Sequence, residues 1–192
     1  MAIYGIEGGI GTGKTLTGHT IAYNDLLTGK HLYTNIKLKN TPKHLLKNVT
    51  YMTKDLMMDI FEKVKTGTWD MTNSTVFIQE AHNYMDSRNS ASKKNKVLSY
   101  WILQSRHTGK GSCDIIYDTQ ALSQVDIRLR RNTDFILHPH IFKWEHTDGI
   151  KKPCVIVCEV FAKIGHKDRK FSYTLDVRNT RETYDTHEVV DF

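Results

Sequence analysis

Eight consecutive residues near the start of the chain, Gly8-Gly9-Ile10-Gly11-Thr12-Gly13-Lys14-Thr15, have the spacing G-x-x-x-x-G-K-[ST] of a phosphate-binding loop. The chemistry explains the pattern. Glycines at Gly8, Gly11 and Gly13 allow backbone conformations that a Cβ would block, so successive N–H groups can turn inward onto phosphate oxygens. Lys14 supplies a charge for the β- and γ-phosphates, and Thr15 a hydroxyl for Mg²⁺. Leu16 follows in the helix whose positive end faces the anion. The loop predicts a nucleoside triphosphate site built from Gly8, Gly9, Ile10, Gly11, Thr12, Gly13, Lys14, Thr15 and Leu16.

Hydrolysis of such a nucleotide needs a positioned water, a metal and neutralisation of charge on the γ-phosphate. The apolar, β-branched run Thr75-Val76-Phe77-Ile78 reads as a buried parallel strand. It delivers Gln79-Glu80 to the strand end where open α/β sheets bind ligands. Glu80 is the candidate for polarising the water. Gln79 stands where an aspartate usually accepts from Mg²⁺-bound water, and it offers a carbonyl oxygen without charge. The expectation is weaker metal binding than an aspartate gives. Gln120 ends the next strand, which in ATPases with an added glutamate lies between the loop strand and the glutamate strand, so it can touch both γ-phosphate and water. Arg106 is the first choice for an arginine supplied from a neighbouring subunit, followed by Arg88 and Arg128, with Arg130 and Arg131 in the same half.

Positioning these groups requires alternating strands and helices. Residues 2–7 form a strand into the loop, and Leu16, Thr20, Tyr23 and Leu27 recur at helical spacing until Gly29. His31-Leu32-Tyr33-Thr34-Asn35-Ile36 reads as a second strand, residues 37–47 as a basic connection with a short helix, and Val49-Thr50-Tyr51 as a brief strand. Leu56, Ile60, Phe61 and Val64 make a helical stripe closed by Gly67. Residues 83–96 are polar and irregular, and Val97, Tyr100, Trp101 and Gln104 suggest a helix. Cys113-Asp114-Ile115-Ile116-Tyr117-Asp118 is another strand, followed by a short helix over residues 122–129 and a core strand at Phe135-Ile136-Leu137. This alternation implies a mainly parallel sheet flanked by helices. After Pro153 the pattern changes: two runs flanking Gly165-His166-Lys167-Asp168 predict a C-terminal β-hairpin extension. The tail from residue 178 onward is polar and is expected to lie over the surface.

A length of 192 residues suits one α/β domain, here read as residues 1–192. No apolar window approaches the roughly 18 residues that span a bilayer, so neither signal peptide nor anchor is expected. Cys113, Cys154 and Cys158 lack zinc or disulfide spacing, which fits a reducing compartment. The net charge of +6 permits a polyanionic partner. Lys93, Lys94 and Lys96 could contact a phosphate backbone, or form an ordinary solvated loop. His138 and His140 lack a third ligand and read as structural; no metal beyond Mg²⁺ is expected.

With these residues in place the sequence resembles the FtsK/HerA group of ring-forming ATPases that pump DNA. It looks most like their small viral branch: the genome-packaging ATPases of tailless, membrane-containing viruses and the Zot-like assembly ATPases of filamentous phages. The residues that carry the resemblance are the loop, Tyr33-Thr34-Asn35-Ile36, Val76-Phe77-Ile78-Gln79-Glu80-Ala81-His82, Ser105-Arg106-His107, Asp118-Thr119-Gln120, Asp126-Ile127-Arg128 and Tyr184-Asp185-Thr186. The resemblance implies a RecA-like P-loop NTPase fold of the type with an additional catalytic glutamate. It also implies a hexameric ring, double-stranded DNA as substrate, and ATP with Mg²⁺ as cofactors. Lys14, Thr15, Glu80, Gln120 and an arginine finger would take the catalytic roles. Zot-like proteins generally carry a membrane segment and a further domain; neither is found in this sequence, so capsid packaging is expected ahead of phage extrusion. Partners would then be capsid-vertex or virion membrane proteins, in the host cytoplasm or at the procapsid. Two other classes remain: a small P-loop kinase, and a scaffold in which ATP binding only switches conformation.

Overall fold

A computed structural model describes residues 2–89, 92, 95–97, 113–164 and 167–189. Strand β1 (Ile3–Glu7) runs into the glycine loop, and helix α1 (Lys14–Leu27) leaves it. β2 (His31–Thr34), β3 (Ile36–Leu38), the short α2 (Lys43–Leu46), β4 (Val49–Tyr51) and α3 (Lys54–Lys65) follow. β5 (Ser74–Ile78) and β6 (Cys113–Thr119) are the next core strands, then α4 (Ile127–Arg131). The chain closes with β7 (Phe135–Thr147), β8 (Ile150–Ile164), β9 (Lys167–Asp176) and β10 (Tyr184–Val189).

The main sheet has the order β4-β2-β5-β6-β1-β7-β8-β9. All pairings from β4 to β7 are parallel. β6 therefore lies between the loop strand β1 and the glutamate strand β5, as the sequence predicts. The strand register places Ile6 beside Asp118 and Ile78 beside Tyr117.

Burial explains why these strands are parallel. Every residue of β5 is buried, so the strand needs cover on both faces. One face packs Ile6, Leu16, Leu26, Phe77 and Ile116 under α1; the other packs Ile3, Val76, Ile78, Tyr84, Ile115 and Tyr117. The first contact is so close that a Cβ on Gly18 of α1 would sit 2.5 Å from Phe77 Cε2. α1 has no single apolar stripe because the helix is enclosed. Leu26, rather than the expected Leu27, is its buried end, and Leu27 is exposed. His19, Thr20 and Thr17 are buried as well.

Four elements differ from the sequence expectation. The second strand, expected over residues 31–36, ends at Thr34, and Ile36 begins β3 in a separate sheet with β10. The strand at residue 135 does not stop after Leu137 but continues to Thr147. It turns at Asp148-Gly149 (φ 53° and 75°) and pairs antiparallel with β8. The C-terminal extension is thus a three-strand ribbon, β7-β8-β9, rather than one hairpin; Asp-Gly was the missed turn signal. The helix over residues 122–129 is instead a 3-10 turn at Leu122–Gln124 and then α4, because the Asp126 side chain accepts the Arg128 N–H at 2.8 Å and caps a later start. Finally, the tail does more than cover the surface. Thr180 and Thr183 are buried against α1, bonded to Thr20 (2.7 Å) and His19 (2.6 Å), and β10 pairs with β3.

Candidate functional site

β1 ends at the floor of the loop, and the loop is closed by its own residues. Lys14 Nζ donates to the Gly9 carbonyl at 2.8 Å and Thr12 Oγ1 to the same oxygen at 3.0 Å. Gly11 and Gly13 have φ of 77° and 93°, and Gly13 is the left-handed residue from which α1 starts. Only a hydrogen fits on Gly13 comfortably, since a Cβ would lie 3.0 Å from Ile156 and 3.3 Å from Ile141. Ile10, at the tip, is 90% exposed.

Opposite Thr15 stands a carboxylate to which sequence reasoning assigned no role. Asp118, at the end of β6, is fully buried. Its Oδ2 accepts the Thr15 hydroxyl at 2.8 Å, and its Oδ1 accepts the Glu80 N–H at 2.6 Å. Burial pushes its pKa up to about 6 and the Glu80 charge adds to the rise, while the two hydrogen bonds and Lys14 pull it down. The available signal was a charged residue directly after the apolar run Ile115-Ile116-Tyr117, which in a strand covered on both faces must point at something polar.

Glu80 itself has φ 53° and ψ 53°. Among the described residues the other non-glycine residues with positive φ are Asn40, Asn73 and Asp148, types that tolerate the left-handed region. A glutamate there is strained, and such strain gathers at functional positions. Its carboxylate lies 3.3 Å from His82 Nε2, and His82 Nδ1 lies 3.3 Å from Thr119 Oγ1 on β6. Gln79 is held through its backbone: Asn35 Nδ2 donates to its carbonyl at 3.0 Å and Asn35 Oδ1 accepts its N–H at 2.8 Å. Asn35 also donates to Tyr84 Oη at 3.1 Å. Sequence reading gave neither Asn35 nor His82 a role; their polar side chains gave no periodic signal.

Lys14, Thr15, Gln79 and Glu80 thus meet at one end of the parallel sheet, and Gln120 is exposed just past β6, beside Thr119. Arg88 lies apart on a 3-10 turn, its guanidinium paired with Asp86 at 2.9 Å and its side chain 87% exposed. That pairing holds the Asp86 carboxyl below its usual range. Arg128 sits 3.7 Å from Asp126, Arg130 donates to the Val125 carbonyl at 3.0 Å, and Arg131 is exposed. Arg106, Lys93 and Lys94 lie outside the described residues; Lys96 is exposed. His138 lies 3.8 Å from Glu7 and packs edge-on to Phe161, and His140 is exposed.

Beside the loop is a pocket of about 290 Å³ with Leu16, Ile141, Trp144, Pro153 and Tyr184 on its walls and Lys14 and Thr15 at its edge. It offers an apolar shelf next to a phosphate cradle. Among the described residues no group of three or more His, Cys, Asp and Glu side chains is placed to hold a metal alone. The Thr15 hydroxyl and the buried Asp118 carboxylate nevertheless fit Mg²⁺, which takes few protein ligands and keeps phosphate and water oxygens.

A loop of this form, entered from a parallel strand and separated from the glutamate strand by one further strand, defines a P-loop NTPase. The match to the family described as Zonular occludens toxin (Zot) runs over residues 2–185, and the chain belongs to that family. It is 28% identical to the Gene 1 protein of Salmonella phage IKe and 25% to that of Enterobacteria phage I2-2, each over 166 residues and 81% of the chain. The match covers 43% of each relative, so the chain spans less than half the length of these proteins. In fold it is similar to the N-terminal domain of zonular occludens toxin from Neisseria meningitidis (TM-score 0.62, 22% identity, 96% of this chain and 98% of that one). It is also similar to the genome packaging NTPase B204 from Sulfolobus turreted icosahedral virus 2, in complex with ATP-gammaS (TM-score 0.55, 11% identity, 88% and 96%). No helix among the described residues is long and apolar enough to cross a membrane.

Proposed function

We propose that this chain is an ATP-hydrolysing motor domain that moves viral double-stranded DNA, working as a hexameric ring. The observation that carries the reading is the convergence of Thr15, Asp118 and Glu80 through bonds of 2.8 and 2.6 Å at the mouth of the loop. In this reading Lys14 neutralises the β- and γ-phosphates and Thr15 takes Mg²⁺, which supplies charge neutralisation. Glu80 polarises the attacking water, and Gln120 senses the γ-phosphate. The base of ATP lies against Trp144 and Tyr184. Arg106, or the exposed Arg88, completes the site of a neighbouring subunit.

Packaging into a capsid and extrusion of a phage share this chemistry. A membrane segment does not separate them here, because the chain spans only part of its relatives. The packaging NTPase among the structural neighbours supports the first, with the chain in the host cytoplasm at a procapsid or virion, its partners capsid-vertex or virion membrane proteins. The Gene 1 proteins support the second. ATP turnover measured against protein concentration, with and without duplex DNA, tests the motor. The rate per subunit should rise with both, and Lys14→Ala and Glu80→Gln should each lower kcat by about 10²–10³-fold with the melting curve retained. A rate indifferent to DNA and concentration would remove the motor, and transfer of phosphate to a small molecule without a DNA effect would replace it with a kinase.

A further inference from the structure

We propose that Asp118, rather than the side chain at position 79, is the carboxylate that serves the Mg²⁺ site, the role having moved from β5 to the neighbouring strand. The proposal rests on the nucleotide-binding reading above. A threonine hydroxyl that ligates a cation turns a lone pair to it and must give its proton elsewhere. Here the acceptor is Asp118 Oδ2, at 2.8 Å from Thr15 Oγ1.

The surroundings of Asp118 point the same way. Its side chain is fully buried, and among the described residues its two hydrogen bonds come from neutral donors, the Thr15 hydroxyl and the Glu80 N–H. Burying a carboxylate answered only by neutral groups is costly, and a cation removes that cost. The Lys14 ammonium is close enough to be felt but is bonded to the Gly9 carbonyl at 2.8 Å.

Position 79 is the geometric neighbour of this group. Ile78 pairs with Tyr117, so residues 79 and 118 form the next pair along the two strands. On β5, Thr75 bonds to Asp25 of α1 and Phe77 packs against Gly18 of α1, which puts the odd-numbered positions on the α1 face. Asp118 meets the same helix at Thr15. Glutamine at 79 and aspartate at 118 therefore exchange one charge between adjacent strands above the same loop. The exchange also accounts for the left-handed backbone at Glu80: it turns the Glu80 N–H onto Asp118 Oδ1, so one carboxylate positions both the Thr15 hydroxyl and the water-polarising glutamate.

The test is Mn²⁺ binding by electron paramagnetic resonance in the presence of β,γ-methylene-ATP, with nucleotide Kd measured with and without Mg²⁺. Asp118→Asn should weaken Mn²⁺ binding about 10–100-fold and remove the Mg²⁺ dependence of the nucleotide Kd. Adding Gln79→Asp to that variant should restore both, a rescue that a purely structural aspartate would not give. Gln79→Asp alone should change Mn²⁺ affinity by less than about threefold, because the charge is already supplied. Wild-type Mn²⁺ affinity in Asp118→Asn, or a gain of about tenfold or more from Gln79→Asp alone, would overturn the proposal, the latter even where Asp118→Asn fails to fold. A wild-type chain that binds no nucleotide in Mg²⁺ would instead overturn the functional reading itself.

Discussion

The parallel strands β4-β2-β5-β6-β1 and the antiparallel ribbon β7-β8-β9 are made from different kinds of sequence. β5 is buried at every position and β6 at all but one. β8 alternates, burying Cys154, Ile156, Cys158, Val160 and Ala162, while β9 leaves Phe171 and Tyr173 about half exposed. Phe142 and Trp144 on β7 are exposed as well. A strand covered on both faces keeps a polar residue only where a partner meets it, as Asp25 meets Thr75, and Glu80 and Asp118 fall where these strands end. A strand covered on one face can spend its other face on contacts. The carboxylates of the candidate site and the exposed apolar side chains thus fall in different halves, as their burial requires.

The contrast is sharpened most by acid. His19 is buried under the tail, and burial lowers its pKa to about 3. Its folded pKa lies below its unfolded value, so the unfolded chain binds the extra proton and stability falls as pH drops from 6.5 toward 3. The expected loss is roughly 3 kcal/mol between pH 6.5 and pH 4. His19→Gln should flatten that part of the profile in urea titrations. An unchanged slope would show that α1 is not enclosed as described. Next in size, Gly18→Ala forces a methyl against Phe77 and should cost about 1–3 kcal/mol, read from the denaturation midpoint. A neutral result would break the claim that the parallel half is packed without slack. Smallest, Phe171→Ser with Tyr173→Ser on β9 should shift stability by less than about 1 kcal/mol. A larger loss in a thermal melt would mean that the ribbon is as tightly packed as the parallel strands.

The parallel half was legible because its signals are local. A glycine loop, a β-branched apolar run and a glycine stop each act within a few residues, and they put β1, α1 and β5 in place. The ribbon was harder. Pro139 and Pro153 look like breaks, yet both lie within strands, and only Asp148-Gly149 marks the turn. Within the site, Lys14, Thr15 and Glu80 followed from spacing. Asp118 did not: its local signal is a single charge after an apolar run, and its partner Thr15 lies 103 residues away, through a register that no local pattern encodes. Leu27 misled for a related reason: an enclosed helix has no single face for periodicity to find.

The tight fit at Gly13 bears on how the protein is made. The phosphate loop is synthesised before the groups that shape it, since Asp118, Ile141, Ile156 and the tail against α1 follow more than a hundred residues later. Contacts of such long sequence separation form late and slowly. A nascent chain stalled before β8 would carry the whole nucleotide motif and still lack the walls that hold it in shape. Acquisition of nucleotide affinity during translation would then date the completion of the fold.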